Sequence, residues 1–152
     1  MIRDDIKAAL VTAMKSGDRQ RTGAIRLIQA ALKNRDIELR GAASAPADDD
    51  ALVTELLQKM VKQRRESIAM YEQGGRAELA AAEQSEVEVI EGFLPRQMSD
   101  AEATAAIDAA VAETGAASVK DMGRVMAAMR ERHGGKIDMS RASALVKARL
   151  SS

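Results

Sequence analysis

Cysteine is absent from this sequence, which excludes disulfides, thiolate nucleophiles and thiolate metal sites. Tryptophan is absent too, and Tyr71 and Phe93 are the only aromatic side chains, so there are no platforms on which single-stranded bases could stack. The lone histidine, His133, ends a methionine-rich apolar stripe at a helix C-terminus, where a structural role fits better than that of a general base. No nucleophile stands beside a base, and Gly134-Gly135-Lys136 lacks the rest of a Walker pattern. The run Asp48-Asp49-Asp50 is too compact for a calcium loop, whose ligands spread over about twelve residues. No catalytic residue, cofactor or metal is therefore expected. Long apolar runs are also missing. The N-terminal MIRDDIKAALVTAMK has acids beside its first apolar positions, which suits neither a secretory signal nor a membrane span. The expectation is a soluble, cytoplasmic protein with no membrane partner.

What is present is the material of helices. Ala, Leu, Ile, Val and nine Met supply the apolar side chains, and 30% of the residues are charged. This composition implies an all-α protein with a plastic core. Basic and acidic residues both number 23, but they are unevenly distributed along the chain. Residues 1–95 hold 14 basic against 16 acidic, and residues 119–152 hold 8 against 3. A basic final third points to an anionic partner contacted there, or to a solvated surface.

Apolar spacing places the elements. Residues 2–16 read as a helix with Ile2, Ile6, Leu10 and Met14 on one face, and residues 19–39 as a second with Ile25, Ile28, Leu32 and Leu39 inward. Arg19, Arg26, Lys33 and Arg40 recur every seven residues along one flank of the second, as a solvated face or a phosphate-contacting ribbon. A loop at residues 41–50 leads to helices at 51–73 and 76–93, and Pro95 marks a boundary. Ser99 and Glu102 form a capping box for the next helix, to about Thr114. Another opens at Ser118 with Val119, Met122, Met126 and Met129 as its buried stripe, and Asp138 caps the last. The expected architecture is an N-terminal antiparallel four-helix unit, residues 1–95, followed by a small three-helix C-terminal subdomain, residues 96–152.

Residues 62–95 organise the first unit: one helix, a Gly74-Gly75 reversal and a second helix. Arg64 falls inside the apolar stripe of Leu56, Met60, Ile68 and Tyr71. Glu83 and Glu86 interrupt the facing stripe of Leu79, Val87, Ile90 and Leu94. An unpaired charge on a core face costs several kcal/mol, so a structural ion pair of Arg64 with Glu83 or Glu86 is expected.

The segment KQRRESIAMYEQGGRAELAAAEQSEVEVIEGFLPRQMS, with DMGRVMAAMRERHGGKIDMS further on, resembles the YqeY family over Ile2 to Leu150. Members of that family are similar to the tail region of the B subunit of the tRNA-dependent amidotransferase. The resemblance implies carbon–nitrogen ligase chemistry with glutamine as the amide donor, conducted by other domains and subunits, and a tail that meets tRNA. Lys120, Arg124, Arg130, Arg132, Lys136, Arg141, Lys147 and Arg149 lie on the last two helices and the turn between them. The first seven of these are the candidate surface for tRNA, with a tRNA-associated enzyme as the related partner and no DNA expected. Two alternatives stay open. One is a protein-interaction module docking through Met122, Met126 and Met129; the other is a stand-alone amidotransferase-related enzyme.

Overall fold

The computed structural model describes residues 1–41 and 48–151, so most of the expected 41–50 loop lies outside the described residues. Among these residues the fold is all-α, with seven helices and no strand. The chain divides into two compact units, Met1–Leu94 and Pro95–Ser152.

The first unit contains α1 (Ile2–Ser16), α2 (Arg19–Arg40), α3 (Asp49–Gln73) and α4 (Ala77–Glu91). Its core gathers Ile6, Ile25, Ile28, Leu32, Val53, Leu57, Met60 and Ile90, all nearly or wholly removed from water. The face of α1 differs in its last turn from the expected one. Ala13 is buried and Met14 is 47% exposed. The short turn through Gly17 brings α2 back at once, and the small Ala13 allows the close approach that Met14 would obstruct.

Charged groups close the open end of this unit. Arg3 makes two bidentate forks: its Nη1 and Nη2 donate to Asp36 at 2.9 and 3.2 Å, and its Nε and Nη2 donate to Asp49 at 3.1 and 2.9 Å. One guanidinium thus ties α1 to α2 and α3. The three consecutive acids each have a separate task. Asp48 caps α3, accepting from the Asp50 amide at 3.0 Å; Asp49 takes Arg3; and Asp50 accepts from the Ile2 amide at 2.9 Å, supplying the cap that Met1 cannot.

The second unit contains α5 (Asp100–Thr114), a 3₁₀ turn at Val119–Asp121, α6 (Met122–His133) and α7 (Met139–Ser151). Ser99 Oγ accepts from the Glu102 amide at 3.1 Å and Glu102 accepts from the Ser99 amide at 3.3 Å, so the capping box is complete. Ala103, Ile107, Ala110, Val125, Met129, Ile137, Ala142 and Val146 form the core. The buried stripe of α6 is corrected in register. Val119 belongs to the 3₁₀ turn and is 42% exposed, whereas Val125 and Met129 are buried and Met122 and Met126 half-buried. The α-helical period begins only at Met122, so the inward positions are Met122, Val125, Met126 and Met129.

Gly134 and Gly135 reverse the chain between α6 and α7. A Cβ at Gly134 would stand 2.6 Å from the Arg130 carbonyl oxygen, and Gly135 has φ 86°, which an L side chain rarely adopts. The turn is pinned from the start of the unit: Gln97 donates to the Gly135 carbonyl at 2.7 Å and the Met98 amide to the Lys136 carbonyl at 2.7 Å.

The Arg3 forks predict an acid sensitivity. Hydrogen bonds from Arg3 hold the Asp49 carboxyl below its ordinary range. A depressed folded-state value gives stability that is complete above the unfolded value, near 4, and is lost as pH falls through the folded one. Asp49→Asn should therefore cost about 1 kcal/mol at neutral pH, allowing for solvent screening, and a smaller difference should remain below about pH 3. Urea unfolding of both proteins across that range measures it; a difference independent of pH would refute the assignment.

Candidate nucleic-acid interface

The basic residues of the second unit fall into two groups. Arg124 is fixed at its own helix start, donating to Asp121 at 2.6 Å and to the Thr114 carbonyl at 3.0 Å. Arg132 pairs with Glu113, Arg141 with Asp100, and Arg149 with Asp108 at 2.8 Å. These three carboxylates all belong to α5, so α6 and α7 use arginines to dock on that helix. The Asp121 carboxyl is held below its usual range, first by the Ala117 amide and then by Arg124.

The positive excess along the final third is therefore largely neutralised in the folded unit. Residues 95–152 together hold 9 basic against 7 acidic residues, because the acidic α5 precedes the basic segment. Lys120, Arg130, Lys136 and Lys147 form the other group. All four are exposed, and none has a carboxylate within ion-pair distance among the described residues. Lys120 lies in the 3₁₀ turn before α6, Arg130 in the last turn of α6, Lys136 in the Gly134-Gly135 reversal and Lys147 on α7. Lys136 is placed by its own backbone, whose amide donates to the His133 carbonyl at 3.0 Å and whose carbonyl accepts from Met98.

The remaining candidates have structural positions. His133 is half-buried at the C-terminal end of α6, the end at which a helix favours positive charge. Asp138 accepts from the Arg141 amide at 3.2 Å and occupies the N-terminus of α7 that a phosphate would need. Met129 is 1% exposed and the neighbouring methionines pack against the core, so the stripe is not an open groove. On α2, Arg19, Arg26, Lys33 and Arg40 are all exposed.

In the first unit, Arg64 is 16% exposed and its Nε donates to Glu86 at 3.0 Å, with Glu83 at 3.9 Å. Glu86 is thus the direct partner and Glu83 a longer-range one. Arg65 supplies a second link from α3 to α4, donating to Glu91 at 2.5 Å. Sequence inspection overlooks the Arg3, Asp36 and Asp49 arrangement, whose members are 33 and 46 residues apart. Its only local trace is an arginine one residue after an apolar helix start.

Residues 3–150 match the family described as Yqey-like protein. The chain is also similar to proteins named altered inheritance of mitochondria protein 41, mitochondrial. It is 30% identical over 89 residues to that of Saccharomyces cerevisiae, 31% over 90 to that of Lachancea thermotolerans and 35% over 89 to that of Eremothecium gossypii. Each match covers 59% of this chain and 46% of the relative, so the matched region is about half the length of these proteins.

The expected cytoplasmic location is overturned by these relatives, all named as mitochondrial. It rested on the lack of a secretory signal and a membrane span, and neither observation distinguishes the cytoplasm from an organelle. Among the described residues no helix is long and apolar enough to cross a membrane.

The Arg64 geometry orders the effects of two substitutions. Glu86→Gln should lower the stability of the first unit by about 1–2 kcal/mol, and Glu83→Gln by less than about 0.5 kcal/mol. Chemical denaturation of the full chain reads both, and the reverse order would contradict the assignment of Glu86 as the partner.

Proposed function

The chain belongs to the YqeY family, and on that premise we propose that it is an RNA-binding helical module, accessory to the amidation of misacylated tRNA. The reading is carried by one observation: Lys120, Arg130, Lys136 and Lys147 project from the second unit with no carboxylate partner among the described residues, while the neighbouring arginines are held by α5. Unpaired cations retain their counterion-releasing capacity toward a phosphate backbone, whereas paired ones must first exchange a carboxylate for a phosphate. This narrows the proposed contact set from the full basic segment to these four residues. Arg124, Arg132 and Arg141 become groups that shape the surface.

The choice of tRNA draws on the likeness to the amidotransferase B-subunit tail. The near absence of aromatics adds that a folded RNA, read by backbone and shape, suits the surface better than a single strand. Catalysis and the glutamine-derived ammonia are assigned to partner domains or subunits.

Titration of the full chain against bulk tRNA at two salt concentrations, with an equal mass of duplex DNA as control, tests the reading. Saturable binding that favours tRNA and weakens with salt is expected. Replacing Lys120, Arg130, Lys136 and Lys147 together by Gln should flatten the logarithmic salt slope by roughly 3.6, at about 0.9 for each of the four lost phosphate contacts. Arg132→Gln with Arg149→Gln should leave it nearly unchanged. Equal affinity for DNA, or an unaltered slope in the quadruple variant, would overturn the proposal.

A further inference from the structure

A cleft of about 270 Å³ opens between α1 and α2 of the first unit, whereas the surface proposed for RNA belongs to the second. Its lining combines Ile6, Leu32 and Ile37 with Arg3, Lys7, Lys33, Asp36 and Arg40. Ile6 and Leu32 are buried and form a floor, while Ile37 is 50% exposed at the rim. The charges here are organised by the Arg3 forks.

On a free helix, Asp36 would neutralise its own neighbours, Lys33 three residues before it and Arg40 four residues after it. It does neither. Both oxygens of Asp36 accept from Arg3, at 2.9 and 3.2 Å. Asp49, at the start of α3, is engaged by the same guanidinium. Among the described residues, Lys33 and Arg40 are thereby left without a carboxylate partner, and Lys7 on α1 likewise makes no ion pair, so three cations surround an apolar floor. The fold sets aside three cations on two helices where helix spacing alone would have paired two of them.

We propose that this cleft is a binding site for a small phosphate monoester with a short apolar body. A phosphoryl group carries close to two negative charges and three acceptor oxygens, which suits three cations better than a carboxylate does. The apolar part lies over Ile6, Leu32 and Ile37. The volume lies just below the range of about 300–1,000 Å³ common for drug-sized ligands, which limits the ligand to a small molecule. A nucleic-acid backbone offers no apolar body for that floor, so this proposal does not depend on the RNA-binding reading.

The test is an NMR titration of the full chain with hexyl phosphate, and with inorganic phosphate, hexanol and hexanoate as comparisons. Hexyl phosphate should give saturable shifts at the Ile6 and Ile37 methyls and the Gln29 and Lys33 amides. Inorganic phosphate and hexanoate should bind several-fold more weakly, and hexanol should give no saturable shift at these positions. Lys33→Gln with Arg40→Gln, both exposed positions whose change leaves the core intact, should weaken hexyl phosphate at least about tenfold. Lys7→Gln gives an independent second variant on the other helix and should also weaken it. The proposal is overturned if no saturable shift occurs at the cleft or if hexanoate binds as tightly as hexyl phosphate. It is equally overturned if both variants bind within about twofold of the parent chain.

Discussion

Six arginines among the described residues, each held by a carboxylate of another helix, orient helices that the apolar cores bring together. Arg3 joins α1 to α2 and α3, Arg64 and Arg65 join α3 to α4, and Arg132, Arg141 and Arg149 join α6 and α7 to α5. The cores beneath are built of Ala, Val, Ile, Leu and Met, side chains that pack densely but specify orientation weakly. A planar guanidinium with several donors fixes direction as well as proximity. Lysine lacks that geometry, and no lysine takes part in an ion pair among the described residues.

This division of labour links fold to function. The cations engaged in docking are unavailable to a ligand without rearrangement, and the remainder define where an anion can be met. In the second unit the remainder is Lys120, Arg130, Lys136 and Lys147; at the α1–α2 cleft it is Lys7, Lys33 and Arg40. Arg3 affects the second set indirectly, since it withholds Asp36 from its helical neighbours.

Much of the helical framework was legible in the sequence because its signals are local. The seven-helix, all-α reading follows from periodicity, and Ser99 with Glu102 announces a helix start through three-residue spacing. Arg64 inside an apolar stripe calls for an acid across the hairpin, and Glu86 is the one at 3.0 Å. Three features were not legible. Met14 and Ala13 exchange roles because the approach of α2 favours a small residue, which periodicity alone does not weigh. Val119 leaves the stripe of α6 because a 3₁₀ turn shifts the register. The basic excess of the last third shrinks because α5 brings its acids alongside: counting charges along a chain sorts them by position, whereas folding sorts them by neighbour.

On this reading unpaired cations, and not the basic segment as a whole, meet the nucleic acid. The decisive measurement is footprinting of the full chain with and without tRNA, using a lysine-acylating reagent and an arginine-selective dicarbonyl, read by mass spectrometry. Protection of Lys120, Arg130, Lys136 and Lys147 is expected, with Arg132 and Arg149 as reactive as in the free protein. Equal protection of the paired and unpaired residues, or no protection of the unpaired ones, would refute this assignment.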